Sequence, residues 1–141
     1  MFDQINIVSG DVDASVEFYR RLGIDMPDPF KSAVGVSFHT GFQSADGITV
    51  ELDAPAFATV WNKGWAESQS LVGRVVLGLR VGTRDEVARI FVDMTAAGYA
   101  GLQPPYDAFW GARYAIVQDP SGLAVGLMSP ADEAHRTAPP M

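Results

Sequence analysis

Cysteine is absent from the 141 residues, and histidine occurs only twice, at His39 and His135. The first absence excludes thiolate nucleophiles, disulfide staples, iron–sulfur clusters and cysteine-ligated zinc. The second excludes a site needing two imidazoles inside one fold, because His135 stands in a polar, proline-ended tail. Basic residues are also scarce. Ten Lys+Arg against seventeen Asp+Glu leave a net charge of -7 with no basic cluster, so a phosphate backbone is repelled and no nucleic-acid partner is expected. No apolar run is long enough to cross a bilayer. Met1 to Gly10 shows no basic stretch ahead of an apolar run and cleavage site, so a cytoplasmic protein with no membrane partner is expected. What the chain does have is apolar material: 48% hydrophobic against 19% charged residues suits one domain with a filled core and argues against disorder.

Gln4 to Ser9 alternates polar and apolar residues and predicts a strand. Gly10-Asp11-Val12-Asp13 then supplies an acidic N-cap for a helix from about Asp13 to Leu22, with Gly23 as its stop. Pro27 and Pro29 force a break. Val34 to Thr40 and Ile48 to Asp53 read as strands joined by a polar segment in which Asp46-Gly47 is a turn signal. Residues 55–72, with Pro55, Trp61 and Trp65, have no clean period and read as a connector holding a helical turn or two. Arg74 to Val81 predicts another strand, and Thr83-Arg84-Asp85-Glu86 is a capping box opening a helix that buries Val87, Ile90, Phe91 and Met94 and stops at Gly98. Arg113 to Gln118 and Leu123 to Met128 are strands parted by Asp119-Pro120-Ser121-Gly122. The tail, 131–141, is small, polar and expected to fray.

The halves repeat. Val8-Ser9-Gly10 through Leu22-Gly23 matches Val81-Gly82-Thr83 through Met94 and Gly98, with Phe18 and Tyr19 where Ile90 and Phe91 stand. A duplicated strand-helix-strands module of the α+β class follows, with modules at about 1–54 and 73–130. Packed edge to edge they would form a curved mixed sheet around a cleft, helices outside, and the cleft is the natural ligand site.

Three stretches carry a resemblance over about Phe2 to Pro130: Asp11 to Gly23 with its Ser15, Phe18-Tyr19 and Leu22-Gly23; Phe109-Trp110-Gly111-Ala112-Arg113-Tyr114; and Asp119-Pro120-Ser121-Gly122. They resemble the vicinal oxygen chelate superfamily, which includes glyoxalase I, extradiol dioxygenases and bleomycin-resistance binding proteins. The resemblance implies two βαβββ modules in a homodimer and, in the metal enzymes, one ligand from each of four cleft-facing strands. Carried across one at a time, those positions fall on Gln4, Glu51, Arg74 and Gly126. Only Glu51 is a usual ligand. Arginine stays protonated and glycine offers no donor atom, so this set predicts no metal cofactor. Arg74 would instead pair with Glu51, with Gln4 bridging, or face solvent at its strand start, and Gly126 would leave volume for a ligand.

Strand alternation puts Gln4, Asn6 and Val8 on one face of the first strand, and the ligand positions that the resemblance implies make it the cleft face; by the same count Thr49, Glu51 and Asp53 face inward, Val76 and Gly78 join Arg74, and Ala124 and Met128 join Gly126. Phe38, Phe42, Trp61, Trp65, Tyr106, Phe109 and Trp110 are the aromatic candidates for its rim, and flat rings there would clamp a planar ligand by stacking. Trp110 is the first choice for ligand contact; Trp61 and Trp65 are assigned to the cleft or a subunit contact. Arg113 either braces the Trp110 loop or meets an anion. His39 is placed on the strand face opposite Phe38, as a lone acid–base group or a hydrogen-bonded histidine. Met94 and Met128 are taken as fillers, and Asp46, Asp53 and Glu67 as surface charges. Three functions remain open: a metal-independent protein sequestering an aromatic or cationic compound such as an antibiotic; a glyoxalase-like lyase or isomerase with Glu51 or His39 as base, with or without a divalent metal; and an inactive scaffold. An extradiol dioxygenase, needing two histidines and a carboxylate, is disfavoured.

Overall fold

The computed structural model describes residues 4–63, 65 and 75–140. The chain forms two compact units, Met1–Ser70 and Leu71–Met141. In the first, β1 (Gln4–Val8) leads into α1 (Val12–Arg21), followed by β2 (Phe30–Lys31), β3 (Ser37–Gln43), β4 (Thr49–Asp53) and α2 (Pro55–Trp61). In the second, β5 (Val76–Arg80) leads into α3 (Arg84–Ala96), β6 (Gly101–Asp107), β7 (Arg113–Gln118) and β8 (Ala124–Met128). Each unit holds one four-stranded mixed sheet, ordered β1-β4-β3-β2 and β5-β8-β7-β6. The first strand of each module runs parallel to the last and the remaining pairings are antiparallel. The fold is therefore α+β, as the sequence predicts, with the repeated βαβββ module that the resemblance implies.

Local chemistry repeats with the topology. Asp11 caps α1 by accepting from Ala14 N, and Thr83 with Glu86 closes the expected capping box on α3. Both helices end in the same double turn: Gly23 N donates to Arg20 O and Ile24 N to Tyr19 O, while Gly98 N donates to Thr95 O and Tyr99 N to Met94 O. That motif needs a left-handed residue, and Gly23 and Gly98 have φ of 88° and 97°. Phe18, Tyr19 and Val16 of α1 are buried with Ile7 and Leu52, and Val87 and Met94 of α3 with Val117, Val125 and Leu127. Each helix thus covers one face of its own sheet and leaves the other face for chemistry.

Two strands lie where no strand is read from the sequence. Both β2 and β6 are sheet edges, and both pair with shifts in register. Strand β6 contains Pro104 and Pro105, which lack N–H donors and are tolerated at an edge. The tail expected to fray carries a 3-10 turn, Glu133–His135, and donates from Asp132 N to Gly111 O and from Thr137 N to Phe109 O. None of the described helices is long and apolar enough to cross a membrane.

Candidate functional site

In the first unit, the face of the sheet away from α1 carries a polar network built by register. Asn6 pairs with Glu51 and Val8 with Asp53 across β1 and β4, and His39 pairs with Asp53 and Gly41 with Glu51 across β3 and β4. Gln4 Nε2 donates to Asn6 Oδ1 at 2.9 Å, and Asn6 Nδ2 reaches Asp53 Oδ2 at 3.2 Å and Glu51 Oε2 at 3.4 Å. His39 Nδ1 lies 2.7 Å from Asp53 Oδ1. Asp53 is not the surface charge expected: its side chain is 1% exposed, and it is tolerated inside because both carboxylate oxygens are hydrogen-bonded.

His39 also sits among rings. Phe30 stacks on it with centroids 5.9 Å apart, and Phe57 lies 5.4 Å away. Phe57 is equally close to Phe38, at 5.3 Å, so Phe38 and His39 are not parted as simple alternation predicts. The cause is the register shift at β2: Phe30 pairs with His39 and Lys31 with Ser37, which skips Phe38.

The second unit presents rings. Tyr106, Trp110 and Tyr114 contact one another with centroids 5.6 to 6.5 Å apart, and Phe109 joins Trp110 at 5.2 Å. Trp110 and Phe109 ride on the five-residue loop between β6 and β7, which Gly111 closes with a φ of 95°. Arg113 braces this loop: it and Arg84 both donate to Asp107 at the loop's base, and Arg84 also donates to Gly111 O at 2.9 Å. The Arg113 hydrogen bond, with the charges of Arg113 and Arg84, holds the Asp107 carboxyl below the usual carboxylate range.

The volume expected at Gly126 is occupied. Ile116 is its cross-strand partner, and Tyr114 reaches diagonally over it. A Cβ at Gly126 would lie 2.6 Å from the Tyr114 hydroxyl. Burial, and secondarily the neighbouring Tyr106, pushes the Tyr114 phenol up. Met128 is not a filler, being 38% exposed on that same face, whereas Met94 is fully buried.

Arg74 lies outside the described residues, and with it the expected pairing to Glu51. Glu67 lies outside them as well. Trp61 is 46% exposed on α2, and Trp65 is half-buried beyond its end. The structure thus brings together Gln4, Asn6 and Glu51 in one unit, and Phe109, Trp110, Gly126 and Met128 in the other, with Arg113 behind the loop. The sequence reading missed Tyr114 and the partnership of Asp53 with His39. Cross-strand pairing was the signal for the second, since the two strands and their connecting turn are both visible in the sequence.

A family model described as Glyoxalase/Bleomycin resistance protein/Dioxygenase superfamily matches residues 1–127. The chain belongs to this superfamily. Solved structures of the same fold include a glyoxalase-related enzyme from Fulvimarina pelagi, 22% identical with a TM-score of 0.73 over 92% of this chain and 88% of that one. A glyoxalase/bleomycin resistance protein/dioxygenase family enzyme from Burkholderia phytofirmans PsJN is 17% identical with a TM-score of 0.73 over 90% and 96%. Lactoylglutathione lyase from Agrobacterium tumefaciens is 17% identical with a TM-score of 0.64 over 92% of each. At these identities the likeness is one of fold. No curated protein matches the chain.

The superfamily's metal positions fit a cation poorly in this member. The Gln4 amide is engaged with Asn6, and Gly126 offers no donor and is covered by an aromatic ring. Of those positions only Glu51 has ligand chemistry, and the groups near it are new ones: among the described residues, His39, Glu51 and Asp53 bring one ligand atom each within 4.8 Å of one another. Two of these, His39 Nδ1 and Asp53 Oδ1, are spent on each other.

Proposed function

We propose that this superfamily member is a metal-independent small-molecule binding protein, acting as a cytoplasmic homodimer that takes up an aromatic or cationic compound such as an antibiotic. The observation that carries the reading is the ring group of Tyr106, Phe109, Trp110 and Tyr114, with the Tyr114 ring standing over Gly126, where a metal centre would need a ligand. Rings at the partly exposed edge of a sheet offer stacking surface, and Met128 adds a polarisable side chain on the same face. The acidic balance of the chain favours a cation over an anion.

Native mass spectrometry after purification without chelator, followed by titration with the planar cation proflavine, tests it. A metal-free dimer that binds proflavine, and a Trp110→Ala variant that binds at least tenfold more weakly, or about 1.4 kcal/mol, is the expected result. One divalent metal per chain, removable by chelator, overturns it.

A second reading, a glyoxalase-like lyase or isomerase using Glu51, is favoured by the half-buried Glu51 carboxylate beside Asn6 and near His39. Formation of lactoylglutathione that Glu51→Gln abolishes would move this reading to the front.

A further inference from the structure

We propose that the polar face of the first sheet is a recognition site for a flat cation bearing N–H donors, of the aryl amidine or aryl ammonium class, formed by His39, Glu51 and Phe30. The proposal rests on the small-molecule-binding reading above and assigns it a second locus, on the sheet of the first unit.

The buried Asp53 carboxylate fixes the imidazole. Asn6 donates to Asp53 Oδ2, and Asp53 Oδ1 faces His39 Nδ1 at 2.7 Å. With Asp53 ionised its carboxylate only accepts, so the 2.7 Å contact calls for the proton on Nδ1, and in the neutral ring Nε2 is then a bare acceptor. Among the described residues Nε2 makes no hydrogen bond, and the side chain is 25% exposed.

Glu51 stands two residues before Asp53 on the same face. Its cross-strand neighbour is Gly41, where a Cβ would lie only 3.0 Å from Glu51 Cγ; no side chain of β3 competes for that carboxylate. None of the residues that the register of β1, β4 and β3 places on this face is Lys or Arg. Among the described residues of these three strands, the face therefore offers acceptors with no Lys or Arg to meet them, and an incoming N–H cation satisfies both Nε2 and Glu51.

Phe30 adds shape selectivity. It is 66% exposed, yet its ring is within 18° of parallel to the imidazole. The exposed Phe30 ring offers a face on which a planar cation stacks, in a plane near that of the imidazole, so that its N–H groups meet the Nε2 lone pair in the ring plane. His135 provides the contrast: its Nδ1 bonds Asp132 at 2.9 Å, but both side chains are about half exposed and no described ring packs on them. The same two residue types there make an ordinary surface pair.

Benzamidine is the probe, followed through the imidazole nitrogens in long-range 1H–15N spectra, where two histidines give two sets of signals. In the free protein at mildly alkaline pH the Nδ1–H tautomer is expected for His39. Benzamidine should shift His39 Nε2 saturably and leave His135 still, and Glu51→Gln and Phe30→Ala, both at partly exposed positions, should each weaken binding at least fivefold. An Nε2–H tautomer, an unmoved His39 at the solubility limit of benzamidine, or unchanged affinity in Glu51→Gln overturns the proposal. So does one zinc ion per chain that His39→Ala abolishes. Proflavine binding through Trp110 with His39 unmoved sinks this inference alone, and a chelator-removable metal in the untreated protein sinks the broader reading.

Discussion

A methyl group added at Gly126 would meet the Tyr114 ring at 2.6 to 3.1 Å, so Gly126→Ala is expected to cost about 1–3 kcal/mol by forcing that ring from its place. Chemical denaturation reads the loss, and it should largely vanish when the same change is made in a Tyr114→Ala chain. Tyr114 also has a titration of its own. Its phenol is pushed up from 10.0 by burial and by Tyr106, so an ultraviolet pH titration should show a late phenol step that a Tyr114→Phe variant removes. Because the folded value is the higher one, the associated stability is fully present below pH 10 and drains as pH rises through the folded value. At this scale the sequence was legible where a residue type alone decides: Gly126 has no donor, and only Glu51 matches a ligand. It was not legible where a neighbour decides. Tyr114 covers Gly126 only through a diagonal across β7 and β8, and Asp53 is buried only because His39 and Asn6 meet it there.

Elements were read best where capping chemistry is explicit. Thr83 with Glu86 marked the start of α3, and Gly23 and Gly98 marked the ends of both long helices. The price of losing such a stop is measurable: Gly98→Ala, at a φ of 97°, is expected to lower stability by about 1–2 kcal/mol, seen as a drop in thermal midpoint. Edge strands were read worst. Short β2 has two residues, and β6 carries two prolines that argue against a strand unless its edge position is already known. The β6–β7 hairpin has an acid-sensitive tie, since Arg113 and Arg84 hold Asp107 below 3.8. A depressed carboxylate contributes above its ordinary value and is lost as pH falls through the folded one. Hydrogen exchange in the 108–112 loop should therefore rise below about pH 3.8 relative to the rest of the second unit, and Asp107→Asn should show that faster exchange, compared at one pH, already at neutrality.

Over the whole chain, the repeat extends to single bonds. Gln43 Nε2 donates to Gly47 O and Gln118 Nε2 to Gly122 O, each at 3.2 Å, and Ser9 N and Val81 N donate to Asp53 O and Met128 O at matching strand ends. The two modules thus kept their frame while their open faces diverged, one toward carboxylates and imidazole, the other toward rings. A side chain able to grip a metal cannot be seated at position 126 in one substitution, because the tyrosine lying across it must first be replaced by something smaller. The ring acts as a lock on that position: with it over the glycine, any side chain at 126 needs a second change at 114 before it fits.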